Sequence, residues 1–254
     1  MPFDIVSTSN ERIKRLIRLR ERSARDEEGV FVVEGQREIG RAIASGKKLL
    51  ELYGETGEVP DSGERRWSVA PEALARASYR SSQTALIGVF EQFETGLDTI
   101  SPGLLPLILV AEGLEKPGNL GAILRTAAGF AADGVVAVDT TVDVFNPNVV
   151  RASTGAVFSV PVAVAGLTDA FAWLRRHEIT VVAGTTDAAI DLWDVDLTGP
   201  TALLVGAEDK GLSSAARDSA TVTAKIPMGV IVDSLNASVS MALMAYEAIR
   251  QRSH

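Results

Sequence analysis

The chain has 254 residues, 46% hydrophobic and 23% charged, an ordinary globular balance with length for one large domain or two modest ones. With no cysteine and only two histidines, His177 and His254, it has no disulfide, thiolate nucleophile or cysteine-ligated zinc, and little scope for a histidine triad or a histidine-rich metal site. A formal net charge of -8 argues against general affinity for phosphate backbones, so a nucleic-acid contact would need a local basic patch.

No run approaches the roughly 18 apolar residues of a membrane span. The start, Met1-Pro2-Phe3-Asp4, lacks the basic and then apolar pattern of a signal peptide, so a cytoplasmic protein is expected. Asn10 is placed to cap a helix on which Ile13, Leu16 and Ile17 share a face. The same segment is crowded with Arg12, Lys14, Arg15, Arg18, Arg20, Arg22 and Arg25. Such a helix can be a footprint for RNA, and a solvated face paired with Asp26, Glu27 and Glu28 accounts for it equally well. Residues 30–33 read as a strand, 37–45 as a helix ended by Gly46, 49–53 as a strand, 71–77 as a helix and 87–90 as a strand. This predicts a small α/β domain.

Residues 94–103 have the Gly, Pro and polar content of a linker, which places a domain boundary near residue 100. Beyond it, residues 105–111, 135–139, 160–164, 180–184, 201–205 and 222–226 read as strands. Residues 119–132, 146–156, 169–177 and 237–252 read as helices; His177 ends one of them beside Arg175 and Arg176 and reads as a solvated residue. Near-continuous apolar strands separated by helices predict a mostly parallel sheet covered on both faces, with binding loops at its strand ends.

Three polar constellations follow such strands. In the first, Asn119 is placed to cap a helix, Gly121 permits close backbone approach, and Arg125 lies less than two turns on. The second, residues 206–213, sets Glu208 in a turn with glycine on both sides. The third runs from Ile226-Pro227-Met228 to Ser234 and Asn236, either of which can cap the last helix. Each has a local explanation as a capped helix or a solvated turn; the combination suggests one composite site. A competing reading takes residues 107–139 as a dinucleotide-binding unit with Asp139 on a ribose, as in a nicotinamide-dependent oxidoreductase, although GxGxxG is missing.

Together, Asn119-Leu-Gly121 with Arg125, Val205-Gly206-Ala-Glu208-Asp-Lys-Gly211-Leu212, and Ile226-Pro227-Met228 with Ser234-Leu235-Asn236-Ala-Ser238 resemble the SpoU, or TrmH-like, family of RNA ribose 2'-O-methyltransferases. The segment Phe31-Val-Val-Glu34-Gly35-Gln-Arg37 resembles the L30e-related substrate-binding domain that many members carry. The resemblance implies an RNA-binding domain over residues 1–97 and a catalytic domain over 104–254 whose carboxyl end is threaded into a trefoil knot. It implies S-adenosylmethionine as cofactor, held by Val205, Gly206, Ile226, Met228 and Leu235, and no metal. It further implies Arg125 beside the ribose hydroxyl, Asn119 orienting it, Glu208 holding the loop network, and Ser234 and Asn236 fixing the third motif. A homodimer packed through the small and apolar face of residues 237–246 is expected, with ribosomal RNA a better expected substrate than transfer RNA; Arg151 is a candidate phosphate contact. A relative that binds RNA without catalysis is the remaining alternative.

Overall fold

The computed structural model describes residues 3–55, 65–79, 86–229, 231 and 233–253, so His254 lies outside the described residues. The chain divides into two compact units, Met1–Phe93 with Phe145–Arg151, and Glu94–Val144 with Ala152–His254.

In the first unit, helix α1 (Glu11–Arg18) is capped by Asn10, whose side chain accepts the Arg12 N–H, and it buries Ile13 and Leu16. The basic segment is not one helix. The chain turns after Leu19 and restarts as α2 (Arg22–Glu28), which Gly29 ends in the left-handed conformation at φ 64°. Strand β1 (Val30–Glu34), helix α3 (Gln36–Ala44), strands β2 (Leu49–Gly54) and β3 (Arg65–Ser68), helix α4 (Pro71–Ala77) and strand β4 (Leu86–Glu91) complete it. The sheet order is β1-β4-β2-β3, with β4 antiparallel to both neighbours and β3 parallel to β2. β3 was not foreseen: its sequence, Arg-Arg-Trp-Ser, is short, polar and only partly buried, so it carries no alternation to read.

Every cation of the basic segment has a partner inside this unit. Arg15 bridges Glu28 and Glu51, and Arg18 also reaches Glu28. Lys14 pairs with Glu11, Arg22 with Asp26, and Arg12 lies over the Trp67 ring at 3.8 Å. Arg20 donates to the carbonyls of Arg76, Ala77 and Ser78 at the end of α4, and buried Arg25 donates to those of Leu19 and Arg20. Of the acids expected to pair with this segment, Asp26 and Glu28 do so, while Glu11, Glu51, Trp67 and the backbone carbonyls supply the other partners. The Tyr53 hydroxyl donates to Glu51, and burial followed by that bond pushes it well above the usual phenol range.

The second unit is a mostly parallel α/β layer. It contains β5 (Leu107–Glu112), α5 (Pro117–Gly129), β6 (Gly134–Val138), β7 (Val162–Ala165), α7 (Leu167–Arg176), β8 (Thr180–Gly184), β9 (Ile190–Asp191), β10 (Thr201–Val205), α8 (Ser214–Ser219), β11 (Val222–Lys225) and α9 (Ala237–Arg252). Helix α6 (Pro147–Ala152) groups chiefly with the first unit. The expected helix over 146–156 stops early because Thr154 and Gly155 take positive φ, of 51° and 88°. The sheet order is β7-β6-β5-β10-β8-β11-β9, and all of its pairs are parallel. β5, β6 and β10 are buried along their whole length, which is why they read as unbroken apolar runs. The late strand β10 lies between β5 and β8, and this arrangement brings the loops after β5, β8 and β10 side by side at one sheet edge. No helix among the described residues is long and apolar enough to cross a membrane.

The far end of α9 is fastened by an arginine. Arg252 donates to the carbonyls of Leu197, Leu105, Pro106 and Gly199, at 2.9, 3.0, 3.2 and 2.6 Å. These carbonyls belong to the segments that lead into β5 and β10, so the guanidinium ties the last helix to the amino ends of two central strands. Removing it leaves half-buried carbonyls unpaired. Arg252→Ala is expected to destabilise the protein by roughly 2–3 kcal/mol, the scale of charge-assisted hydrogen bonds. A urea titration should show a lower midpoint at unchanged slope; an unmoved midpoint would contradict this role.

Candidate active site

The loop after β10 is a narrow hairpin in which Ala207 and Gly211 exchange backbone hydrogen bonds of 3.1 and 2.9 Å. A Cβ on Gly206 would lie 2.2 Å from the Gly211 carbonyl carbon, so only glycine lets the two arms approach. The hairpin is fastened to the neighbouring strand end by Glu112, the buried last residue of β5, which accepts the Ser213 N–H at 2.8 Å and its hydroxyl at 2.6 Å. The same Ser213 oxygen accepts the Ala216 N–H and caps α8.

Beside this hairpin the structure gathers three of the expected residues. Pro117 occupies the first turn of α5 and Lys116 is its cap, so Asn119 is the third residue of the helix and not the cap the sequence suggested. Relieved of capping, the Asn119 side chain meets Asn236. Asn236 caps α9: its Oδ1 accepts the N–H groups of Ser238 and Val239 at 2.9 and 3.3 Å. Its Nδ2 donates to Asn119 Oδ1 at 3.1 Å and to Glu208 Oε1. Backbone donors can be taken only by the amide oxygen, which turns the amide nitrogen toward Glu208 and Asn119. Glu208 receives a further contact from Lys116 Nζ, while Lys210 approaches Glu115 at 3.5 Å in the opposite sense. The Lys116 contact, then the Asn119 hydrogen bond, hold the Glu208 carboxyl below its ordinary range.

A cavity of about 340 Å³ opens next to this network, within the usual range of small-molecule pockets. Val205, Gly206, Ile226, Met228 and Leu235, singled out from the sequence, all line it. Glu208 and Ser234 do as well, Ser234 exposed and outside the hydrogen-bonded network. Arg125 is on the solvent side of α5, without a hydrogen bond or ion pair among the described residues, and is not part of the cavity wall. Four lining residues were missed: Gly184, Thr185 and Thr186 at the exit of β8, and Arg217 on α8. The first three follow the strand-to-glycine pattern that marked the other loops; Arg217 carried no signal. Asp139, which the dinucleotide reading assigns to a ribose, instead accepts the Leu167 N–H at the start of α7, at 3.3 Å.

The SpoU rRNA Methylase family matches residues 106–246, and the MRM3-like substrate binding domain matches residues 10–88. The chain belongs to the SpoU rRNA methylase family. It is 31% identical to the 23S rRNA (uridine(2479)-2'-O)-methyltransferase of Streptomyces viridochromogenes, over 91% of this chain and 86% of that one. Its structure is similar to that of the SpoU methyltransferase AviRb from the same organism in complex with AdoMet, with a TM-score of 0.89, 29% identity and coverage of 96% of this chain and 98% of the other. A second likeness is the AdoMet-bound rRNA methyltransferase from Sinorhizobium meliloti, with a TM-score of 0.90, 30% identity and 97% of both chains covered.

In this member of the family the Glu208 network depends on a lysine 92 residues away in sequence. A carboxyl whose folded pKa is lowered adds stability above its unfolded pKa and loses it as pH falls through the lowered folded value. The wild-type Glu208 side chain should therefore titrate below the ordinary glutamate range when followed by NMR. In Lys116→Met its midpoint should move to higher pH; equal midpoints in the two proteins would contradict the contact.

Proposed function

We propose that this chain is an S-adenosylmethionine-dependent methyltransferase that modifies a ribose 2'-hydroxyl of structured RNA, with 23S ribosomal RNA as the substrate class. The observation that carries this reading is the joining of Asn119, Glu208 and Asn236 at the mouth of a cavity formed by the loops after β8, β10 and β11. The lining fits the cofactor: Val205, Ile226, Met228 and Leu235 offer apolar surface for a purine, and the Glu208 and Asp209 carboxylates suit a sulfonium. When bound, S-adenosylmethionine supplies an electrophilic methyl whose departure leaves a neutral thioether.

The chain's own contribution is to hold the reactants in line. Positioning alone can lower such a barrier by up to about 7–11 kcal/mol. Arg125, exposed on α5 and without a hydrogen bond or ion pair among the described residues, takes the place beside the ribose hydroxyl. A guanidinium donates hydrogen bonds and accepts none, so Arg125 polarises the hydroxyl and stabilises the developing oxyanion, while the hydroxyl proton leaves to water as the methyl–sulfur bond breaks and the methyl–oxygen bond forms. Asn119 directs the ribose, Ser234 faces the bound nucleoside, and Glu208 with Asn236 keeps the loops closed around it.

Three finer features belong to the same proposal. The carboxyl-terminal chain is threaded as a trefoil knot, supported by the insertion of β10 between β5 and β8 and by likeness to SpoU structures. The protein is a homodimer, supported by Val239, Leu243 and Tyr246, which stand exposed at helical spacing on α9, and it works in the cytoplasm, supported by its likeness to rRNA methyltransferases. The domain over residues 1–97 presents the RNA, supported by the substrate-binding match there.

Incubation with methyl-labelled S-adenosylmethionine and ribosomal RNA, followed by digestion, should yield labelled 2'-O-methyl nucleosides. Arg125→Ala should lower kcat about 10²–10³-fold, the scale for loss of one oxyanion donor, with cofactor affinity retained. Label on bases alone, or undiminished turnover by the variant, would overturn the proposal.

A further inference from the structure

We infer that Arg217 is the receptor for the α-carboxylate of the cofactor's amino-acid tail, an assignment that rests on the methyltransferase reading of the cavity. The charged groups of the lining are arranged unevenly across the sheet. Glu208 sits where the network with Asn119 and Asn236 reaches from β10 toward the loop after β5. Arg217 sits on the other side, its Nη1 donating to Asp187 Oδ2 at 2.7 Å, three residues beyond the end of β8.

The methyl must face the Asn119–Glu208–Asn236 network for transfer, which sets the sulfur above β10. β8 is the next strand over. Neighbouring strands are about 4.8 Å apart, and the cofactor's carboxylate carbon is four bonds from sulfur, about 5 Å away at ordinary bond lengths. A tail of that length covers about one strand spacing, and directed toward β8 it points to the wall where Arg217 and its partner Asp187 lie, while the purine takes the apolar surface of Ile226, Met228 and Leu235. Of the two lining cations, Lys210 is in the hairpin and faces Glu115. Arg217 has a planar fork suited to a carboxylate, with one arm already held in direction by Asp187.

The test is calorimetry on the full chain with two probes, S-adenosylhomocysteine and 5'-methylthioadenosine, which share the adenosine and thioether and differ in the amino-acid tail. Arg217→Ala should weaken S-adenosylhomocysteine about tenfold, one logarithmic unit in Kd, and leave 5'-methylthioadenosine within about twofold. Arg217→Lys, which keeps the charge, should restore part of the loss. Unchanged S-adenosylhomocysteine binding, or parallel losses for both ligands in both variants, would overturn the assignment. A wild-type protein that binds neither ligand would instead refute the methyltransferase reading on which it rests.

Discussion

The site depends on one side-chain amide. Asn236 closes the first turn of α9 through its oxygen and, because that oxygen is committed, must present its nitrogen to Asn119 and Glu208. A helix cap that would ordinarily be a local matter thus fixes the relation of three loops. Replacing the amide with an acid would keep the cap and destroy the donor; replacing it with an apolar residue would lose both. Glu208 can remain charged in this setting because Lys116, Asn119 and Asn236 all favour the ionised form.

The sheet makes that meeting possible. With β10 inserted between β5 and β8, the exits of these parallel strands lie next to one another, and each exit supplies a different element. β5 ends in Glu112, which anchors the hairpin; β10 ends at Val205, and Gly206 begins the hairpin; β8 ends at Gly184, which opens the cavity wall. Arg252 fastens the opposite end of α9 to the segments entering β5 and β10, so the helix that carries Asn236 is held at both ends.

What the sequence made legible follows the range of the forces involved. Helix α9 and strand β10 have the limits that pattern alone indicated, since cap chemistry and apolar runs are local signals. The cavity residues Val205, Gly206, Ile226, Met228 and Leu235 were found through their motifs. The bond from Ser213 to Glu112 crosses 101 residues and that from Lys116 to Glu208 crosses 92, and nothing in a local window announces either. Asn119 was misread as a cap because Pro117, two residues earlier, is the stronger start signal. The basic amino-terminal segment could not be resolved from composition: its partners include Glu51, Trp67 and the carbonyls ending α4, all distant in sequence.

The central claim is that the exits of β8, β10 and β11 form one receptor for a methyl-donating nucleoside, with its sulfur turned toward the Asn119–Glu208–Asn236 network. A crystal structure of the protein with S-adenosylhomocysteine tests this most directly. The account predicts the purine among Ile226, Met228 and Leu235 and the sulfur beside Glu208 and Asn236. A ligand seated anywhere else, such as over the turn that begins α5, would contradict it.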